Sequence, residues 1–219
     1  MVSSKLSAFQ REALAAIFAR SGDTLFLTGG AALAGYHLGH RPTDDLDLFT
    51  VDAEAFQRTR FVIDAAAEAL HATVEVRQDG PGFRRYAFVR GDDALVIDTV
   101  LERGRQLHVV KSRVGDILVD PPDEILANKL TAIVGRMEER DLVDVLCLER
   151  AGLRVEDALP AALAKDGGAT PATLAWLLSE VRIPDTASLP AGVTPAELRA
   201  FIDELVIRLR RAAHPSGSR

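Results

Sequence analysis

Three aspartates carry the chemistry that this sequence could perform. Asp45 and Asp47 lie in Asp45-Leu46-Asp47-Leu48-Phe49, where acidic and apolar residues alternate strictly. That alternation is the period of a β-strand, so both carboxylates share one face, with their Cα atoms about 7 Å apart. Two carboxylates so spaced can flank a pair of divalent ions, and magnesium prefers such oxygen ligands. Group transfer from a nucleoside triphosphate (NTP) uses two ions of this kind, Mg2+ above all, to neutralise the triphosphate and align the attacking and leaving oxygens. A third acid is needed to complete the second ion's shell and take the proton of the attacking hydroxyl. Asp98 is the candidate, being the only charge in Ala94-Leu95-Val96-Ile97-Asp98-Thr99-Val100. A carboxylate buried in such a run needs a cation beside it, and a metal would supply one.

Gly29-Gly30 follow the short apolar run 24–28 and precede a helix-prone segment. The first amides of that helix would point outward with the positive end of its dipole, a seat for β- and γ-phosphates that missing side chains would let come close. Arg41 and Thr43, just before the aspartate strand, could add a cation and a hydroxyl to the same anion site. Each piece also has a plain meaning. A glycine pair after a strand is often only a turn, and an isolated Asp-x-Asp is as often a solvated edge or a structural cation site. Asp44 reads as a loop acid and Asp92-Asp93 as a turn. The weight lies in the ordered combination.

The elements that must position these groups follow from spacing. Ser7 and Gln10 form a capping box for a first helix, in which Leu14, Ile17 and Phe18 recur until Ser21-Gly22 stops it. Residues 24–28 read as a buried strand and Asp52 as the cap of a helix running towards Leu70. Strands are expected at 73–77, 84–90 and 94–100, with further short ones near 107–111 and 117–119. Beyond Asp120-Pro121-Pro122 the pattern turns helical, at 124–134, 140–150, 155–165, 171–182 and 195–211, with hydroxyl caps Thr170 and Thr194 each before a proline. This gives an α+β core over 1–120 and a helical domain over 121–219, expected to pack on the core.

The 219 residues, 47% apolar and 26% charged, suffice for one large domain or two small ones. The segment before residue 20 is broken by Lys5, Gln10, Arg11 and Glu12, and no stretch is apolar for long enough to span a bilayer. A lone cysteine, Cys147, excludes an intramolecular disulfide and a cysteine zinc cluster, so a reducing cytoplasm is expected and a membrane is not. A net charge of −6 disfavours a protein coated with nucleic acid and leaves room only for a local basic groove.

Taken together, LTGGAALAGYHLGHRPTDDLDLF, VIDTV and ILANKLTAIVGRMEERDLVDVLCL closely resemble the AbiEii-type nucleotidyltransferases, over roughly residues 24–150. These are the toxin partners of bacterial toxin–antitoxin and phage-abortive-infection systems. The resemblance implies the polymerase-β-like nucleotidyltransferase fold, a mixed sheet flanked by helices. It also implies Asp45 and Asp47 as the metal pair and Asp98 as the third acid. It adds Lys129 as the triphosphate-binding lysine and Asp141 and Asp144 as motif acids. Read from the residues alone, Lys129 lies among Ile125, Leu126, Leu130 and Ile133, as a lysine snorkelling beside a packed face would. Asp141 and Asp144 share a helix face and could pair with Arg140 or Lys129, and a mixed role has Asp144 orienting Lys129 towards phosphate. In one place the sequence departs from the fold's pattern: a serine or threonine commonly follows the glycine pair, and here Ala31 stands there. Thr28 or Thr43 could compensate.

Three readings of the acceptor stay open. For RNA, in particular the 3′ end of tRNA, Arg84, Arg85, Arg90, Arg103, Arg105, Lys111 and Arg113 would line a groove for phosphates, unless they are merely solvated strand faces. A small cationic hydroxyl compound such as an aminoglycoside would suit the net acidity. A catalytically silent nucleotide-binding module acting through a partner protein would suit Ala31. An antitoxin protein is the expected partner, received on the outer faces of the later helices.

Overall fold

The computed structural model describes residues 4–214. Within these the chain forms two compact units, one of residues 4–103 and 108–121, the other of residues 104–107 and 122–214.

In the first unit, helix α1 (Ala8–Ser21) opens on the capping box and ends at Gly22, whose φ is +57°. Strand β1 (Phe26–Thr28) is shorter than 24–28 because a 3-10 turn takes up Gly22–Thr24. Gly29, at φ +64°, then turns the chain into a helix that is α-helical only over α2 (Gly29–Ala32) and widens to a π-helix over Leu33–His37. The Leu33 carbonyl closes it by accepting from the amides of Leu38 and Gly39. Strand β2 (Asp45–Thr50) leads to α3 (Ala53–Ala69), capped by the Asp52 carboxylate on the amides of Glu54 and Ala55. Next come β3 (Thr73–Asp79), β4 (Phe83–Arg90), β5 (Asp93–Leu101), β6 (Ser112–Val114) and β7 (Ile117–Val119). The strand expected near 107–111 does not form. The turn at Gly115-Asp116 carries pairing back only to Ser112, and Val109 and Val110 stay 85% and 86% exposed.

The sheet order is β3-β4-β5-β2-β1-β7-β6, with β2 parallel to β5, β1 parallel to β7 and the other neighbours antiparallel. Period-two alternation gives it two chemically different faces. Leu46, Leu48, Ile97, Thr99, Tyr86 and Phe88 are buried on one face. There Phe88 meets Phe9 of α1 with ring centroids 5.6 Å apart, and Thr99 donates a hydrogen bond to Thr59 of α3. Truncating a fully buried leucine of this layer, Leu48 for example, would cost about 2–5 kcal/mol. The opposite face carries the acids.

The second unit contains α4 (Pro122–Gly135), α5 (Glu139–Arg150), α6 (Val155–Lys165), α7 (Pro171–Ser179) and α8 (Pro195–Ala213). Thr170 and Thr194 cap α7 and α8, each before a proline, and Glu197 completes a capping box. Helix α4 packs against α5, α6 and α7, and α7 against α8. A buried ion pair, Lys165 to Glu124 at 2.6 Å, fastens α6 to α4. No helix among the described residues is long and apolar enough to cross a membrane.

Candidate active site

One row of side chains runs across four adjacent strands on the acidic face. Thr28 of β1 opposes Asp47 of β2, Asp47 opposes Asp98 of β5, and Asp98 opposes Arg85 of β4. Residues paired across neighbouring strands project to the same side, so the row brings two of the three predicted acids next to each other. Asp45, two residues before Asp47, projects to that side as well, which places all three on one face.

The ends of the row decide its electrostatics. The carboxylate of Asp98 is only 7% exposed, as its apolar neighbours imply, but the cation beside it comes from the chain itself. Arg85 donates from Nε to Oδ1 at 2.8 Å and from Nη2 to Oδ2 at 2.7 Å, a two-pronged pair of the strong kind. The hydrogen bond that Arg85 donates to Asp98 is the main cause that holds the guanidinium protonated beyond its ordinary range, and the charges of Asp98, Asp45 and Asp47 add to it. In the sequence Arg85 reads either as part of a basic groove or as a solvated side chain on a strand face. The signal for its real position was present in the two-residue turn Gly91-Asp92, because counting back from that turn sets Arg85 opposite Asp98.

At the other end, Thr28 is 2% exposed and its Oγ1 has no hydrogen-bond partner. Gly29 lies directly against the row: a Cβ built on it would stand 2.2 Å from Oδ2 of Asp47. Gly30 faces the two groups expected beside it, since its Cβ would lie 3.1 Å from Nη2 of Arg41 and 3.3 Å from Oγ1 of Thr43. Arg41 and Thr43 are both buried. The Thr43 hydroxyl donates to Oδ1 of Asp45 at 2.8 Å, while its carbonyl accepts from Nε2 of Gln10 at 2.7 Å, which ties this loop to α1. Ala31 is fully buried. Asp44 is exposed in the loop.

The residues fit divalent cations in their donor chemistry: three carboxylates on one face, beside a backbone without side chains and an unsatisfied hydroxyl. They do not form a finished cage. Among the described residues no three acidic, histidine or cysteine side chains converge as metal ligands, and both oxygens of Asp98 are engaged by Arg85.

Lys129, Asp141 and Asp144 form a cluster of their own in the second unit. Nζ of Lys129 lies 2.7 Å from Oδ1 of Asp141 and 2.7 Å from Oδ2 of Asp144, joining α4 to α5. All three are buried. Burial pulls the Lys129 ammonium towards deprotonation, but Asp144 and Asp141 outweigh it and raise its pKa above the ordinary lysine value. Arg136 adds a second cation on Asp141, at 3.2 Å.

The expected basic groove is largely neutralised. Arg84 pairs with Asp79, Arg85 with Asp98, Arg90 with Glu12, Lys111 with Asp120 and Arg113 with Asp23. The side chain of Lys111 is buried and its ammonium lies over the Phe26 ring at 4.3 Å, so it is turned away from a nucleic acid. Arg103 and Arg105 are exposed.

A mixed sheet with helices on one face and aspartates on the other, set beside a glycine turn, is the architecture of the nucleotidyltransferases. JHP933 from Helicobacter pylori has the same fold, with a TM-score of 0.54 and 20% identity over 95% of this chain and 97% of that one. So does MenT4, a nucleotidyltransferase toxin from Mycobacterium tuberculosis H37Rv, with a TM-score of 0.56 and 14% identity over 91% of this chain and 81% of that one. A comparison with curated proteins finds no match. Residues 12–214 match the family described as nucleotidyl transferase AbiEii toxin of type IV toxin–antitoxin systems, and the chain belongs to that family.

Proposed function

We propose that the protein transfers a nucleoside monophosphate from an NTP, bound with magnesium, to the hydroxyl at the 3′ end of a tRNA. The observation that carries the transfer chemistry is the register of Asp47 against Asp98, with Asp45 on the same face. In this reading Asp45 and Asp47 hold two magnesium ions with Asp98. When bound, those ions neutralise the triphosphate and align its oxygens. Gly29 and Gly30 let the phosphates approach, with Thr28, Arg41 and Thr43 beside them. The acceptor oxygen attacks the α-phosphorus, the bond to the β-phosphate oxygen breaks, pyrophosphate leaves, and the acceptor's proton passes to Asp98. Lys129 is a separate element of the proposal, a phosphate-binding ammonium aimed by Asp141 and Asp144.

The toxin family and the exposed Arg103 and Arg105 favour RNA as acceptor. Pairing of the other basic side chains, together with the net charge of −6, favours a second reading in which the acceptor is a small cationic hydroxyl compound. Incubation with each α-labelled NTP, magnesium and either total tRNA or aminoglycosides separates them. Label on tRNA is the expected result, label on the small molecule alone selects the second reading, and label that persists in Asp47→Ala removes the aspartates from the chemistry. A cognate antitoxin is the proposed protein partner, and the cytoplasm the proposed compartment.

A further inference from the structure

Arg85 stands out as a cation placed where the proposed chemistry needs another. Its side chain is 45% exposed while the carboxylate it grips is 7% exposed, so the arginine reaches in from the solvent side to a buried acid. It takes one bond to each oxygen of Asp98, and its guanidinium carbon lies 5.6 Å from the Phe83 ring centroid, which gives it a second resting surface. Arg85 is the cation of a row in which Asp47 stands directly opposite Asp98, with Asp45 on the same face. Like charges so placed repel, and a buried carboxylate without a cation is costly. Arg85 meets both demands without a metal.

Resting on the nucleotidyltransferase reading, we propose that Arg85 is a resident counter-ion that competes with divalent metal for Asp98. In the metal-free protein the guanidinium fork closes on Asp98 and quiets the acids. Metal loading requires the fork to open, because a guanidinium and a divalent cation at one carboxylate repel each other. Arg85 therefore lowers the affinity of the acids for metal and sets the cation concentration at which the site assembles. A long, half-exposed side chain on a strand can swing away without disturbing the sheet.

The test is Mn2+ binding to the full chain without nucleotide, followed by electron paramagnetic resonance of the unbound ion, in wild type, Arg85→Gln, Arg85→Lys and Asp47→Asn. Arg85→Gln is expected to bind Mn2+ about tenfold more tightly than wild type, from loss of a nearby positive charge. Arg85→Lys, which keeps the charge but loses the fork, should fall between them, and Asp47→Asn should bind more weakly than wild type. In thermal melts, Arg85→Gln should lie below wild type without metal and gain more on adding Mn2+. Should Arg85→Gln fail to fold, Arg85→Lys alone decides, since an affinity no higher than wild type overturns the counter-ion. Equal or weaker binding in Arg85→Gln, with binding still weakened in Asp47→Asn, overturns the counter-ion and leaves the nucleotidyltransferase reading standing. Failure of every folded variant, and of wild type, to bind Mn2+ overturns the counter-ion, and label transfer with NTP and magnesium then decides the nucleotidyltransferase reading separately.

Discussion

Gly29 and Asp47 lie so close that no side chain fits between them: a Cβ on the glycine would stand 2.2 Å from Oδ2 of the aspartate. The backbone of Gly29 is also left-handed, at φ +64°. Gly29→Ala should therefore destabilise the protein by about 1–3 kcal/mol through backbone strain. It should also displace the Asp47 carboxylate and lower nucleotidyl transfer about a hundredfold, as small misplacements in a reacting site do. Chemical denaturation and label-transfer rates measure the two effects separately, and an alanine variant with full activity would show that Asp47 need not hold its position.

The unsatisfied hydroxyl of Thr28 makes a prediction of opposite sign for stability and binding. Thr28→Val removes a buried hydroxyl that has no partner, so the variant should be as stable as wild type or more so, by up to about 1–3 kcal/mol. If the hydroxyl receives a phosphate, NTP affinity should fall about fivefold or more, the value of one hydrogen bond. Isothermal titration with a non-hydrolysable NTP and magnesium, beside a thermal melt, reads both.

Much of this was legible beforehand, for reasons that particular residues make clear. The alternation around Asp45 and Asp47 could only be a strand, and the caps at Ser7, Asp52, Thr170 and Thr194 fixed where helices begin, because each signal is local. Pairing between distant strands is not local. Nothing in the sequence sets β2 parallel to β5 in the register that aligns Asp47 with Asp98, since that crossover depends on how α3 and the β3-β4 hairpin pack. The π-helix over Leu33–His37 was hidden because its residues are ordinary helix formers and the widening arises from closure on Leu38 and Gly39. Val109 and Val110 read as strand by propensity but lie outside the hairpin that the turn at Gly115 allows.

Lys129 binds two buried carboxylates, so removing it leaves them short of a cation. Lys129→Met should cost about 3–5 kcal/mol at neutral pH. The pKa of Lys129 is raised in the folded protein, so its contribution is complete below the ordinary lysine pKa and is lost as pH rises through the higher folded value. Urea denaturation from pH 7 to pH 11 should show the gap between wild type and variant narrowing only at the alkaline end. A wide gap in NTP affinity between Lys129→Met and an equally destabilised core variant would mark the lysine as a phosphate ligand as well as a staple of α4 to α5.

His37 predicts a loss of stability on the acid side. Burial lowers its pKa below the ordinary value, against a partial offset from the Asp120 carbonyl, which accepts from Nε2 at 2.7 Å, and from the Asp120 carboxylate. A histidine with a depressed folded pKa favours folding above its unfolded pKa, near 6.5, and loses that contribution as pH falls through the unfolded and then the folded value. Wild type should thus weaken more steeply than His37→Gln between pH 7 and pH 5, followed by denaturant midpoint. Parallel slopes for the two proteins would remove His37 as the cause.

Residues Gly104–Leu107 count with the second unit although the chain on both sides of them counts with the first. Arg105, Gln106 and Leu107 share a hollow with Pro160, Ala161 and Ala164 of α6. A gene split after residue 121 would consequently yield no two intact pieces: the front fragment would carry a stranded four-residue stitch, and the rear fragment would have a bare patch on α6. Exchange of the helical part between relatives by a single crossover would break the same seam.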